Sequence, residues 1–296
     1  MTHDVAIVGG SYAGLSAALP LARARRSVLV FDMGQRRNRF APASHGFFAH
    51  DGDAPGDMVR QAREQLARYA TVQFVDAAVT QASGQADAFA LQAAGQAWSV
   101  RRIVLATGVV DQLPDIPGLQ ARWGRSVFHC PYCHGYELQL GRIGLIATGP
   151  ESLHQALLLP EWGAVTLCLN GRFEPDAAAL AQLAARGVAV ERALVQAVED
   201  EATLVLADGR REVFAGLFTA PRTAPASPLA QQLGCLLEHT PTTQHVHTDA
   251  MKHTTVPGVF ACGDTGRAMG NVALAVSDGA IAGLAAHRSL MFGLAA

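Results

Sequence analysis

The stretch richest in reactive side chains is His129-Cys130-Pro131-Tyr132-Cys133-His134-Gly135. Two cysteines with two residues between them can close a small disulfide. One sulfur can then exchange with an outside thiol while the other faces an electron acceptor. A CxxC thiol commonly has its pKa pulled down, which keeps thiolate available near neutral pH. Five cysteines occur, at 130, 133, 168, 235 and 262, and this is the one close pair. A zinc knuckle completed by His129 or His134 is the competing use of such a pair. Structural zinc takes four ligands, usually a second CxxC or a spaced histidine pair. Cys168, Cys235 and Cys262 are not spaced that way, so the pair reads as redox and no metal is expected.

A reactive pair needs a scaffold and an electron carrier, and the N-terminus supplies a candidate for both. Asp4 to Val8 is a short apolar run, followed by the turn Gly9-Gly10-Ser11-Tyr12-Ala13-Gly14 and a helix-like Leu15 to Leu19. A second apolar run, Ser27 to Phe31, ends on Asp32. This is the strand, glycine turn, helix, strand and acid of a dinucleotide site. The turn offers backbone N–H groups to a pyrophosphate at the helix N-terminus, and Asp32 is placed to hold ribose hydroxyls. Ser11 departs from the fingerprint by standing where its middle glycine would be.

Residues 34–53 have loop composition but carry aromatics, Asn38, His45 and His50. Such a loop just after a ribose-binding acid is expected along the cofactor, with His45 either touching it or solvated; both stay open. Pro55 to Tyr69 reads as an amphipathic helix, with Met58, Ala62, Leu66 and Tyr69 on one face. Alternating residues at 72–74, 89–91 and 98–100, punctuated by Gly84 and Gly95, read as a small antiparallel meander. Arg102 to Leu105 is a buried strand closing on Ala106-Thr107-Gly108, and Gln112 to Gly118 is a stiff, proline-rich, non-helical linker.

A second strand–turn–strand unit spans Arg142 to Leu169, but its glycine fingerprint is eroded. Ala147 and Ser152 replace the first and third glycines, and Pro150 removes one N–H donor. Asn170, Gly171 and a lone Arg172 stand where a 2′-phosphate would need a basic cluster. NADPH is therefore doubtful. A helix from Pro175 to Arg186, short alternating strands and an Ala/Pro-rich loop follow. Val256 to Asp264 returns to strand and turn, and Asn271-Val272 opens an Ala/Gly-rich helix running to about Leu290. Cys262 lacks a partner and reads as a small core residue.

The 296 residues allow two domains. Lys and Arg total 23 against 25 Asp and Glu, with no basic block, so nothing in the charge argues for nucleic acid or an anionic membrane as partner. No apolar run is long enough to span a bilayer, and no signal peptide is read. Few cysteines and one redox pair fit a reducing cytoplasm.

Taken together, the N-terminal GGSYAG, the ATG turn, the CxxC of the middle region, and VPGVFACGD followed by NVALAVSDGAIAG resemble the low-molecular-weight thioredoxin reductases across the whole chain. HCPYCHGYE and the eroded second fingerprint look more like the FAD-dependent dithiol oxidases that close disulfides in natural products such as gliotoxin and holomycin. The resemblance implies an α/β fold of two dinucleotide-binding, Rossmann-like domains, the second inserted into the first. Residues 1–113 and 243–296 would bind FAD and 114–242 would carry the CxxC. FAD would be held by Gly9, Gly10, Ser11, Ala13, Gly14, Asp32, Asn38, His45, Ala106, Thr107, Gly108, Asp264, Asn271 and Val272. In this scheme Asp264 accepts ribityl hydroxyls, and the helix opened by Asn271 stabilises negative charge on reduced flavin.

By the same resemblance Cys133 is the flavin-facing sulfur and Cys130 the exchanging one. Thioredoxin reductases place an acid after the pair; here it is His134. Histidine titrates near neutral pH, so His134 is expected to move the substrate proton, with a structural hydrogen-bonding role as the alternative. The expected reaction oxidises a small-molecule or peptide dithiol with O2 as acceptor, giving hydrogen peroxide. NAD(P)H- or ferredoxin-dependent reduction of a thioredoxin-like protein is the alternative, and a flavin-binding redox sensor the non-enzymatic one. The resemblance also implies a homodimer.

Overall fold

The two apolar runs nearest the N-terminus are parallel neighbours in one mixed sheet of the computed structural model, which describes residues 2–294. Strand β1 (Thr2–Val8) leads into helix α1 (Tyr12–Arg23), strand β2 (Val28–Phe31), helix α2 (Pro55–Leu66) and strand β3 (Val72–Val75). Strands β4 (Val79–Gln85), β5 (Ala88–Ala93) and β6 (Gln96–Leu105) follow, and the sheet order is β3-β2-β1-β6-β5-β4. The strand Val259–Ala261 returns to pair in parallel with β6.

The helical pattern ends earlier than its apolar stripe suggests. Helix α2 stops at Leu66 with Ala67 as C-cap, and Tyr69 packs against the same core from the turn beyond. The run at 72–74 does not begin a meander: β3 pairs in parallel with β2, Val72 opposite Val28. Alternation gives a strand but not its partner, and the α2 crossover returns the chain parallel to β2. The meander is β4-β5-β6, and Arg102–Leu105 is the second half of the single strand β6, whose first half pairs with β5.

The C-terminal helix Val272–Phe292 lies along α1 at backbone contact. A Cβ on Gly279 would sit 2.1 Å from the Ala13 carbonyl oxygen, and one on Gly283 2.3 Å from that of Ala17. Ser16 Oγ donates to the Val276 carbonyl at 2.6 Å, closing the seam. Its far end is tied by buried Arg102, whose Nε donates to Ser289 Oγ at 2.8 Å and Nη2 to the Ser289 carbonyl at 3.0 Å. Gly279→Val is expected to destabilise the fold by about 2–3 kcal/mol, because a backbone carbonyl cannot swing aside as a side chain does. A denaturant midpoint unchanged from the parent would refute this.

A second five-stranded parallel sheet is ordered Ala189–Glu191, Gly163–Cys168, Leu140–Ile146, Gly216–Thr219 and Val127–Phe128. Helix Ala177–Ala185 is shorter than the expected 175–186, because Asp176 caps it by accepting from the Ala179 N–H at 2.8 Å. An antiparallel sheet of Val195–Glu199, Thr203–Leu206 and Arg211–Val213 covers its core. Both halves thus follow the doubly wound α/β pattern expected.

By contact the chain divides into Met1–Arg39, Phe47–Val110 and Thr223–Ala296 as one unit, and Phe40–Gly46 with Asp111–Arg222 as the other. The resemblance puts the return at about 242/243. Residues 223–242 group with the first unit because Leu229, Ala230 and Cys235 are buried in the cluster containing Phe31 and Phe89.

Candidate active site

Strand Val127–Phe128 delivers the reactive pair. Cys130 is the N-cap of a one-turn helix, Pro131–His134, and Pro131 suits its first position, where no N–H is needed. The turn is tied by the Cys133 N–H to the Cys130 carbonyl (3.2 Å) and the Gly135 N–H to the Pro131 carbonyl (2.7 Å). This brings the cysteine Cα atoms to 5.3 Å, and Cys130 and Cys133 are joined as a disulfide. Beneath it, Gln155 Nε2 donates to the His129 carbonyl at 2.7 Å, and Gly135 lies on the Trp162 ring. Tyr132 meets Trp162 edge-on at 5.2 Å yet is 71% exposed, and Tyr136 is 84% exposed. The disulfide turn thus carries aromatic surface free of its own core.

His134 is not the near-neutral group its residue type suggests. Its ring stacks on Phe128 with centroids 4.4 Å apart, and Phe128 rests on Phe218. Burial pushes the imidazole down from 6.5 to about 4; Glu137 opposes the shift and His45 adds to it. At neutral pH His134 is therefore an uncharged hydrogen-bonding group and a reluctant proton acceptor. His45, expected along the cofactor, has Nε2 3.4 Å from Glu137 Oε1 in the same unit as the disulfide.

In the first unit the glycine turn is dictated by close approach. Gly9 has φ +109°, and a Cβ there would lie 2.1 Å from the Ala106 carbonyl oxygen; one on Gly14 would lie 1.7 Å from that of Gly9. Gly10 lets Asp32 lie directly against the backbone. Ser11 is the N-cap of α1 but makes no side-chain cap bond, so the first-turn N–H groups of Tyr12, Ala13 and Gly14 are left for an outside acceptor. Asp32, at the end of β2, has Oδ2 3.9 Å from Arg63 Nη1.

Asn38 Nδ2 donates to Tyr12 Oη at 3.1 Å, while its buried Oδ1 has no hydrogen-bond partner. Ala106-Thr107-Gly108 meets Thr265, whose Oγ1 accepts from the Gly108 N–H at 2.6 Å. Asp264 is ion-paired with Arg37 at 2.8 Å. Asn271 caps the C-terminal helix, its Oδ1 accepting from the Leu274 N–H at 2.8 Å, with Val272 as first helical residue. Tyr12, Arg37 and Thr265 join this constellation without having been read from the sequence. The arginine run 36–39 beside the acid and the hydroxyl after Asp264 were the available signals.

The second turn is filled by its own side chains. A Cβ on Gly149 would lie 2.3 Å from Glu151 Oε2, so that carboxylate lies against the turn. The Thr148 N–H is taken by Ser152 Oγ at 3.0 Å, and Pro150 has none to give. Asn170 Oδ1 accepts from the Val195 N–H at 2.9 Å, which makes it structural.

The remaining cysteines are buried thiols. Burial pushes Cys168 up to about 12 and raises Cys235 and Cys262; Cys262 lies in the core with Phe260 and Ala282. Among the described residues no group of three or more His, Cys, Asp or Glu is placed to hold a metal ion, and no helix is long and apolar enough to cross a membrane.

The family model described as pyridine nucleotide-disulphide oxidoreductase matches residues 3–279. Thioredoxin reductase tcpT of Claviceps purpurea is 34% identical, over 97% of this chain and 94% of its own. The structure of an oxidoreductase from Agrobacterium tumefaciens is similar with a TM-score of 0.97 and 52% identity, covering 99% of both chains. The structure of HlmI is similar with a TM-score of 0.90 and 35% identity, covering 98% of this chain and 93% of its own.

Proposed function

The chain belongs to the pyridine nucleotide-disulphide oxidoreductase family, and from that premise we propose that it oxidises a small-molecule or peptide dithiol to a disulfide, with FAD as cofactor and O2 as acceptor. The observation that carries this reading is the pairing of an intact Cys130–Cys133 disulfide with a second nucleotide turn occupied by the Glu151 carboxylate. An anion already seated on Gly149 disfavours the pyrophosphate of NADPH and leaves the dithiol as the electron source.

The first unit fits FAD. Gly9, Gly10 and Gly14 let a pyrophosphate approach the N–H groups of the α1 first turn, beside Ser11 and Ala13. Asp32 would hold ribose hydroxyls and the orphaned Asn38 Oδ1 would accept a hydrogen bond from the cofactor. Ala106, Thr107, Gly108, Asp264, Asn271 and Val272 line the remainder of the proposed site, with the helix N-terminus at Val272 favouring negative charge. When bound, FAD supplies the two-electron sink through which the reduced cysteines return to disulfide and O2 becomes hydrogen peroxide.

The chain's own residues do the sulfur chemistry. A substrate thiolate attacks Cys130, the exchanging sulfur by the resemblance, and Cys133 leaves as thiolate. The second substrate thiol resolves the mixed disulfide and frees Cys130. His134, clamped on Phe128 and held neutral by burial, adds no charge of its own to the turn that carries Cys133. A homodimer, on the strength of the resemblance, and a cytoplasmic setting, on the scarcity of cysteine, complete the reading.

The likeness to thioredoxin reductase tcpT favours a second reading, reduction of a thioredoxin-like protein with electrons from NAD(P)H or a ferredoxin-like donor. An anaerobic titration followed by flavin absorbance separates the two. Bleaching by dithiothreitol but not by NADPH, with colour and peroxide returning in air, is expected. Prompt stoichiometric bleaching by NADPH would overturn the oxidase reading.

A further inference from the structure

Residues 40–46 pack with the disulfide-bearing unit although the chain on both sides of them belongs to the other. A Cβ on Gly124 would lie 3.0 Å from Phe40 Cβ, so this segment rests closely on the second unit. Its His45 Nε2 lies 3.4 Å from Oε1 of Glu137, in the short turn Tyr136–Leu138 directly after the disulfide helix. Glu137 thus stands four residues after Cys133, and His134, the residue after that sulfur, feels the charges of both Glu137 and His45. The His45 and Glu137 side chains are 22% and 42% exposed, open to solvent, whereas the His134 ring is held flat on Phe128. A carboxylate that orients an imidazole, in the turn directly after the disulfide helix, is the pairing of a general base with its orienting group.

We propose that His45, oriented by the Glu137 carboxylate, accepts the proton of the substrate thiol that opens the Cys130–Cys133 disulfide; this rests on the dithiol reading above. As the first thiol attacks, its S–H bond breaks and the proton goes to His45. The new S–S bond forms to Cys130, and the electron pair of the old bond leaves on Cys133 as thiolate. The imidazolium is held by Glu137. The second thiol then attacks the substrate sulfur of the mixed disulfide, and its proton goes to the departing Cys130. The substrate is oxidised by two electrons and the cysteine pair is reduced by two.

The test uses flavin-loaded His45→Gln and Glu137→Gln proteins whose visible spectra match the parent. Disulfide opening by dithiothreitol under anaerobic conditions is acid-quenched at intervals and read as alkylated mass on Cys130 and Cys133. Near pH 7, His45→Gln is expected to open about 10²-fold more slowly than the parent. The two should converge toward about pH 9, where thiols ionise unaided. Glu137→Gln is expected to lose less, its deficit likewise closing toward about pH 9. Opening of His45→Gln at the parental rate near neutrality, or an equal loss at every pH, overturns the proposal. A parent protein whose disulfide dithiothreitol does not open overturns the dithiol reading itself.

Discussion

Cys133→Ser is expected to keep its flavin colour and lose dithiol oxidation by about 10⁴-fold or more, the scale on which covalent enzymes lose rate without their nucleophile. The reason lies in the turn. Residues Pro131–His134 fix the two Cα atoms 5.3 Å apart, so each sulfur has the other as its sole close thiol partner among the described cysteines; Cys168, Cys235 and Cys262 are buried elsewhere. Without Cys133 there is no disulfide for a substrate thiol to open and no route from dithiol to flavin. Cys130→Ser should be equally inactive. Oxygen uptake and peroxide release with dithiothreitol as substrate provide the measurement. Turnover by Cys133→Ser at the parental rate would show that dithiols reach the flavin without the pair.

The parts of this arrangement that were legible in the sequence are those fixed by local geometry. Gly9 and Gly14 are needed because backbone carbonyls stand about 2 Å from where a Cβ would go, and only glycine meets that demand in a strand-to-helix turn. Asp32 follows from its place at the end of β2, and the CxxC from its spacing alone. Glu151 was visible as a residue but not as the occupant of its turn, since its rotamer is set in three dimensions.

What stayed hidden depends on distant partners. The pattern at 72–74 gave a strand, but its neighbour is chosen by the α2 crossover. Arg102 opens the expected buried strand, but the partner that lets its guanidinium be buried is Ser289, far along the chain. His45 reads as a cofactor-side loop residue, and its carboxylate partner, Glu137, lies far along the chain in the other segment of its unit. The His134 environment could not be read either: its stacking on Phe128 arises from how the short strand Val127–Phe128 turns into the disulfide helix.

That environment makes His134 a pH-dependent liability for the fold. The folded imidazole titrates at about 4 against 6.5 for the free side chain, so between these values the unfolded chain binds the extra proton. Stability from keeping this ring neutral is therefore complete above about pH 6.5 and is lost as pH falls toward 4. Each pKa unit corresponds to about 1.4 kcal/mol, and partial solvent access trims the total, so a loss of about 2–3 kcal/mol is expected. His3, also lowered by burial, contributes in the same direction, which makes the variant comparison decisive. His134→Asn keeps a polar group of similar reach that does not titrate. Its denaturant midpoint should fall much less between about pH 7 and pH 4.5 than that of the parent, by the share His134 contributes. Carboxylates whose pKa is lowered by partners, such as Asp87 and Glu238, also lose stability as pH falls, but equally in parent and His134→Asn, so the difference between the two isolates the ring. If parent and His134→Asn lose stability in parallel across that range, the ring is not held neutral by its stack on Phe128, and His134 regains its claim to the proton that we assign to His45.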